Sequence, residues 1–363
     1  MTKKEGVLRF FLAALCVFTV VFSFMEPERT ARATTAALSL CAGKVVPGVF
    51  IFMFSARVLV LFGASSAFSR LTGGIFERAF GVSRGGAAVI FLGLIAGYPS
   101  GAAVASELMR CGGLDKRECA RILPFATAAS PAFLLSAVGS LLGLRFGAVM
   151  LVSQVLSALI LLLLTRGTAR QTVLAAEKNR PASPLSAFTG ALKSSGAAAL
   201  AICSFVTFFY VFSDMLLALL PAEGLLAALI SGTLEISCGF SRLAACSSSA
   251  ARYFCGGTIL GFGGFSVLLQ SADAAGDGGF RPGKYLAGKA VQAPLCGALA
   301  AALGTLCDRE CAREAFIFFG TEQGKIGALW QMLALFALIF AIIVLQIKIF
   351  AKIFKKLWKK SNM

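Results

Sequence analysis

The feature that most constrains the fold is a set of long apolar stretches with one basic residue or none: 45–64, 146–165, 196–213 and 326–347. Each is close to the roughly 20 residues that a helix needs to cross the hydrocarbon core of a bilayer. Hydrophobic residues make up 58% of the chain and charged residues 14%, against about 45–50% and about 25% in soluble domains. The sequence predicts an all-α polytopic membrane protein, located in the cell membrane and surrounded by lipid.

Charge and residue usage exclude several classes of function. The net charge of +17 would suit nucleic acid, but much of it lies beside apolar runs, where Lys and Arg set membrane orientation. No nucleic-acid partner is therefore predicted. The chain has no histidine, which excludes Ser-His-Asp triads, Cys-His nucleophiles and Cys/His zinc sites. The eleven cysteines are scattered and are typical of small buried hydrophobes. The prediction is a protein without metal, cofactor or enzymatic activity.

Two kinds of apolar segment alternate along the chain. The first, 7–25, follows two lysines, and its length favours a retained helix over a cleaved signal peptide. Further uninterrupted spans are predicted at 45–64, 146–165, 196–220, 285–304 and 326–350. Four other apolar segments contain glycine, proline or serine at their centres, namely 86–109, 119–140, 223–243 and 249–271.

The interrupted segments divide the chain into two similar units. Non-helical backbone at membrane depth survives only when it is buried in protein or lines a cavity. The interruptions form two pairs, each preceded by a span with a Phe-Ser and followed by a span rich in small residues. The alternative is that the glycines merely permit close helix packing. The predicted organisation is an N-terminal helix and linker (1–44), a first repeat (45–165), a basic loop (166–195), a second repeat (196–305), and a C-terminal helix with a basic tail (306–363).

Loop charges predict how the repeats are oriented. The N-terminus, the central loop and the tail are the most basic segments, so all three are expected in the cytoplasm. Ten crossings would place the central loop outside, whereas one re-entrant segment in each half places all three basic segments inside. The spans 45–64 and 196–220 then run in opposite directions. Two inverted repeats with broken or re-entrant helices are typical of secondary transporters.

Glu235 is the sharpest single candidate for function. A carboxylate in an otherwise uncharged apolar segment costs about 2.5–3.5 kcal/mol on insertion scales and usually marks a functional site. In a transporter it would bind a proton or a cation, or hydrogen-bond the solute while protonated. The alternative is a structural ion pair with an arginine such as Arg57 or Arg242.

The other interruptions predict an anion-binding lining. Half-helices that begin at 97–101, 130–133 and 261–266 would present backbone N–H groups, which attract carboxylate or phosphate. Arg57 and Asp214 are weaker candidates because they lie near span ends. The predicted ligand is a small anionic or polar solute. The residues predicted to bind it are Gly97, Tyr98, Pro99, Ser100, Gly101, Thr127, Ser130, Pro131, Glu235, Gly263, Gly264, Ser266 and Gln270.

The same motifs resemble those of the YlbJ family of sporulation integral membrane proteins, which carry the nucleoside-recognition Gate domain. The resemblance rests on GLIAGYPSGA at 93–102, GGLD at 112–115, SPAF at 130–133, LEI at 234–236 and GFGGFSV at 261–267. It extends over most of the chain, 45–305. One departure is Thr-Ala-Ala at 127–129, where the family often has Asn before Ser-Pro.

The resemblance implies a fold and a function. Related Gate domains look like parts of concentrative nucleoside transporters, with inverted halves and re-entrant hairpins. The family is linked to endospore cortex formation and to moving dipicolinate across the mother-cell membrane around the forespore. The first hypothesis is a secondary transporter of a small anionic or aromatic solute, with Tyr98, Phe133 or Phe265 holding an aromatic ring. A membrane scaffold in cortex assembly is the alternative, and an intramembrane enzyme ranks third. The oligomeric state is left open, with a homo-oligomer as one option.

Overall fold

The computed structural model describes residues 3–62, 74, 76–110, 112–167, 183–220, 222–247 and 249–307, and every regular element in these ranges is helical. The predicted span at 326–350 and the basic tail lie outside the described residues, as does most of the central basic loop. The helices are α1 (Lys3–Met25), α2 (Pro27–Leu40), α3 (Val46–Leu61), α4 (Arg84–Ala96), α5 (Ser100–Arg110), α6 (Lys116–Ala126), α7 (Gly139–Leu142), α8 (Leu144–Leu164), α9 (Pro184–Leu219), α10 (Gly224–Leu234), α11 (Ile236–Leu243), α12 (Ala250–Phe262), α13 (Gly264–Gly279) and α14 (Pro282–Cys307).

Four helical stretches are long and apolar enough to cross a membrane: Leu144–Leu164, Pro184–Leu219, Ala250–Gly276 and Pro282–Cys307. A fifth is formed if Pro27–Val45 and Val49–Ser55, which meet at 53°, are taken as one bent span. These long apolar helices are compatible with the predicted all-α polytopic membrane protein. Short π-helical segments at Cys41–Val45 and Phe133–Val138 connect α2 to α3 and lead into α7.

The N-terminal part of the chain forms a long antiparallel pair with α9. Arg29 Nε lies 2.7 Å from Asp214 Oδ2, the Cys41 and Cys203 thiols are close neighbours, and the Phe54 and Phe188 rings are 5.0 Å apart. Successive residues from α2 to α3 therefore contact progressively earlier residues of α9, as expected for antiparallel helices. Much of the predicted linker before residue 45 is therefore helical and pairs with α9 over its length.

Helix starts explain why these elements are longer than the sequence analysis expected. Pro27 and Pro184 both occupy first-turn positions, where a missing N–H costs nothing because the group would be unpaired anyway. Ser183 caps α9 by accepting a hydrogen bond from Ser186 N. The end of the predicted basic loop, from 184 to 195, is consequently the first part of α9.

Helices α4 and α5 form a hairpin whose two ends lie together. The Ser83 backbone N–H, just before α4, donates to Glu118 Oε1 at 2.6 Å, and a Cβ at Gly85 would lie only 2.0 Å from Gly113 O. Both Gly113 and Glu118 follow α5. Helices α10 and α11 also fold back on each other, because a Cβ at Gly239 would lie 2.5 Å from Gly232 Cα.

All four predicted interruptions are present. Gly97 has φ 77° and separates α4 from α5, and the chain leaves the helix at Thr127 before it resumes near Ser130. Glu235 is extended, with φ −149°, between α10 and α11. Gly263, with φ 85°, lies between α12 and α13. The glycines at 97 and 263 adopt a backbone conformation that side chains with a Cβ disfavour.

Helices α12 and α14 are in close contact through small residues. A Cβ at Gly257 would lie 2.6 Å from Cys296 O and 2.7 Å from Ala300 Cβ. A Cβ at Gly261 would lie 2.7 Å from Gln292 O. Such contacts let backbones approach closely where lipid supplies no hydrophobic driving force. Glycine therefore serves as a packing device in this helix pair, in addition to interrupting helices elsewhere.

We expect Gly257→Ala to lower the free energy of unfolding by about 1–3 kcal/mol, because overpacking forces the two helices apart. The matched control is Gly190→Ala on α9, where the added Cβ meets nothing within 4 Å. This exposed helical position should be neutral or gain up to about 1 kcal/mol from helix propensity. Thermal unfolding of the two purified variants measures the difference, and equal midpoints would contradict the close contact of α12 with α14.

Candidate functional site

The interruptions meet within each half of the protein. In the first half, the Tyr98 backbone N–H donates to Ala128 O at 2.9 Å, and a Cβ at Gly97 would lie 2.8 Å from Ser130 N. In the second half, a Cβ at Gly264 would lie 3.2 Å from Leu234 O. Each hairpin tip therefore rests against the broken part of the following span.

The interruption after α6 is held by a glutamine on α8. The Ala129 backbone N–H donates to Gln154 Oε1 at 2.9 Å, and Gln154 Nε2 donates to Ala129 O at 2.9 Å. Ser130 Oγ accepts from the Phe133 backbone N–H at 3.1 Å and so caps the helix that follows. These bonds replace those that the helix loses at its break, which buried backbone requires. Sequence reasoning missed Gln154, although an amide within an apolar span was a usable signal.

Glu235 is buried and caps a half-helix with its own carboxylate. The side chain is 3% exposed, and Oε2 accepts from the Cys238 backbone N–H at 2.8 Å. Arg242 binds Asp214 instead, with Arg242 Nη2 3.0 Å from Asp214 Oδ1. Among the described residues, no ion pair joins Glu235 to Arg57 or Arg242. The predicted arginine partner is thus absent from the part of the chain that the structure describes.

Asp214 belongs to an ion-pair cluster and is not part of the cavity lining. Its carboxylate binds Arg29 through Oδ2 and Arg242 through Oδ1. The cluster ties α2, α9 and α11 together. This arrangement gives Asp214 a structural role near the end of its helix.

A small cavity lies where the interruptions of both halves converge. Its volume is about 20 Å³, room for about one water molecule. Five of the predicted site residues line it: Gly97, Tyr98, Ser130, Glu235 and Gln270. The other lining residues are Val45, Val49, Phe133, Ile202, Val206 and Ser237. Both halves and both members of the antiparallel pair therefore contribute to one small polar cavity with apolar walls.

Gln270 brings an unused acceptor to this cavity. The side chain is 5% exposed, and its Nε2 donates to Ser266 Oγ at 2.9 Å. Its Oε1 is buried and has no hydrogen-bond partner among the residues that the structure describes. An unpaired buried acceptor costs about 1–3 kcal/mol. A bound solute or water with an N–H or O–H group would remove that cost.

The remaining predicted residues surround the cavity without lining it. Pro99, Ser100 and Gly101 lie at or just before the start of α5, and Pro131 follows the second interruption. Gly263, Gly264 and Ser266 lie at the break between α12 and α13. Thr127 is engaged by α14, since its Oγ1 is 2.9 Å from the Tyr285 hydroxyl and its carbonyl accepts from Lys289 at 2.8 Å. The residues outside the lining are Pro99, Ser100, Gly101, Thr127, Pro131, Gly263, Gly264 and Ser266.

Lys289 is a buried lysine that sequence reasoning missed. It lies in the predicted span at 285–304 and is 2% exposed. Nζ also donates to Gln292 Oε1 at 3.1 Å, and Gln292 Nε2 reaches Ser157 Oγ at 3.4 Å. A lysine within an apolar span is a signal of function in itself.

Comparison with known proteins gives no assignment: no family model, no curated protein and no solved structure matches the chain.

The cap at Glu235 generates a stability prediction. We expect Glu235→Ala to lower the free energy of unfolding by about 1 kcal/mol, because the N-cap acceptor of α11 is lost. Glu235→Gln should lose less stability than Glu235→Ala, since its amide oxygen can still accept from Cys238 N. The control is Glu223→Ala, because Glu223 precedes α10 without a side-chain cap and should change stability little. Thermal unfolding in detergent ranks the variants, and an alanine variant as stable as the parent would contradict the capping role.

Proposed function

We propose that the protein is a secondary transporter of a small anionic or aromatic solute. The observation that carries the proposal is the cavity that the interrupted helices of both halves line together with Glu235. Secondary transporters place their solute sites near the bilayer midplane between discontinuous helices. The scaffold alternative gives no reason for a carboxylate and an unpaired amide oxygen to share one buried cavity.

The order of elements supports two copies of one unit. The first half runs from the bent α2–α3 span through the α4–α5 hairpin and the broken α6–α7 span to α8. The second half runs from α9 through the α10–α11 hairpin and the broken α12–α13 span to α14. Gln154 and Gln292 follow Gly97 and Glu235 by the same number of residues. A repeat that begins at 27 fits this order better than one that begins at 45.

Helix directions support inversion of the two units. The first helices of the two halves, α2–α3 and α9, are antiparallel, as the contacts of Arg29 and Phe54 require. The ends of the α4–α5 hairpin lie together, so this hairpin is our choice for the re-entrant segment of the first half, and α10–α11 for the second. Each half then makes an even number of crossings, if α1 is counted in the first half and the span predicted at 326–350 in the second.

The lining favours a solute that arrives with a proton. Among the described lining residues there is no lysine or arginine, and Glu235 contributes a carboxylate. Like charges in a poorly solvated cavity repel strongly. An anionic solute and an ionised Glu235 would therefore exclude each other, so we propose that Glu235 is protonated when the anion binds. Tyr98 and Phe133 supply apolar contact for an aromatic ring.

The cavity, with a volume of about 20 Å³, is too small for such a solute, so transport requires the hairpin tips to move away from the broken spans. By resemblance, the proposed solute is dipicolinate, and the proposed location is the mother-cell membrane around the forespore. Alternating access in transporters with repeats is largely a movement of one repeat or bundle against the other.

The transport prediction uses purified protein in liposomes. We expect uptake of dipicolinate, or of a nucleoside or dicarboxylate in the same screen, to be driven by a pH gradient. Uptake by Glu235→Gln should no longer depend on the pH gradient, because an amide cannot carry the proton. Glu223→Gln, an exposed matched control, should behave like the parent. Absence of uptake for every solute would favour the scaffold alternative. Uptake driven by the pH gradient in Glu235→Gln would show that Glu235 does not carry the proton.

The topology prediction uses single cysteines in a Cys-less background. Leu185→Cys, near the start of α9, should be labelled by a membrane-impermeant reagent from the cytoplasmic side. Glu223→Cys, just before α10, should be labelled from the opposite side. Both positions are exposed. Labelling of both from one side would contradict the inverted arrangement.

A further inference from the structure

Lys289 forms a hydrogen-bonded cluster that is separate from the cavity lining. Its ammonium donates to the Thr127 carbonyl at 2.8 Å and to Gln292 Oε1 at 3.1 Å. Both contacts are with neutral oxygens. No Asp or Glu in the described ranges forms an ion pair with Lys289. The charge is therefore held without a carboxylate, which for a buried ammonium needs an explanation.

The Thr127 carbonyl lies at the C-terminal end of α6, where the helix stops. The last carbonyls of a helix lack intrahelical partners and carry the negative end of its dipole. In broken transporter helices, such carbonyls coordinate the coupling cation. The Lys289 ammonium occupies the same kind of position, because it binds a half-helix carbonyl and an amide oxygen at membrane depth.

Neighbouring contacts fix this oxygen cluster. The Tyr285 hydroxyl, one turn before Lys289 on α14, is 2.9 Å from Thr127 Oγ1. Ser157 on α8 holds the amide of Gln292. A Cβ placed on Gly263 would be 3.9 Å from Lys289 Nζ, so the ammonium also lies beside the break between α12 and α13. Lys289 on α14 thus contacts the interruption at Thr127 in the first half and lies beside the interruption at Gly263 in the second.

We propose that Lys289 is a tethered cation that fills a monovalent-cation site at the broken end of α6. The protein carries its own cation there and needs no sodium or potassium at this position. Removal of the side chain should leave an oxygen-lined space that takes a small metal cation with water. The site itself does not depend on the proposed transport, but its meaning as a substitute for a coupling ion rests on that function.

The first test measures stability without any solute. Purified Lys289→Ala is unfolded thermally in sodium chloride and in choline chloride of equal concentration. We expect its midpoint to be about 3 °C or more higher in sodium chloride, because a cation bound to the folded state stabilises by mass action. The parent and Lys284→Ala, which alters an exposed lysine on the same helix, should have equal midpoints in the two salts.

A second variant distinguishes loss of a bound cation from loss of the packing volume of the Lys289 side chain. In Lys289→Met the apolar side chain fills the space, so sodium should not raise its midpoint. Equal midpoints of Lys289→Ala in the two salts would overturn the proposal, as would failure of this variant to fold in sodium chloride. A sodium effect of the same size in the parent would also overturn it, since the cation would then bind elsewhere.

The transport arm uses the same proteins in liposomes. Parent uptake should be the same in sodium and choline media, whereas Lys289→Ala uptake should fall in choline and recover in sodium. If the parent transports nothing, the transport function fails while the stability test still decides the cation site. Sodium-dependent parent uptake would show that Lys289 does not replace the coupling cation.

Discussion

The constraint on which the structure depends is that backbone polar groups inside a bilayer must be satisfied by the protein itself. An uninterrupted helix meets this requirement within its own segment, but an interrupted helix cannot. Three of the four interruptions, those at 97, 127–130 and 235, have a specific hydrogen-bond partner. Tyr98 N binds Ala128 O, Gln154 binds both polar groups of Ala129, and Glu235 caps α11. Lys289 satisfies the carbonyl of Thr127.

These partners determine how the halves are assembled. In the first half, the hairpin tip pairs with the broken span through Tyr98 N and Ala128 O. Helix α14 lies against α6, where Lys289 and Tyr285 both reach Thr127. The glycines on α12 allow α14 to come close enough for this reach. The cavity lies between these interruptions, and residues of both halves line it.

Sequence reasoning identified features that depend on local residues. Gly97, Glu235 and Gly263 were placed at interruptions because glycine, proline and an isolated carboxylate disrupt an apolar helix wherever it lies. Which interruption contacts which could not be predicted, because those contacts join residues far apart in the chain. Gln154 and Lys289 could be recognised as polar residues within apolar spans, but their partners, Ala129 and Thr127, are defined only by packing. Thr127 was predicted to bind solute, but its hydroxyl and carbonyl are already engaged by α14.

The capping bond of Glu235 has a mechanical consequence. A protonated carboxyl is a weaker acceptor than a carboxylate, so the anchorage of α11 and the occupancy of this carboxyl by a proton are thermodynamically linked. Protonation of Glu235 would weaken its bond to Cys238 N in the first turn of α11, and a strong bond there would in turn disfavour protonation. The stability of the first turn of α11 therefore depends on local pH, because the same Glu235 carboxyl lines the cavity and caps the helix.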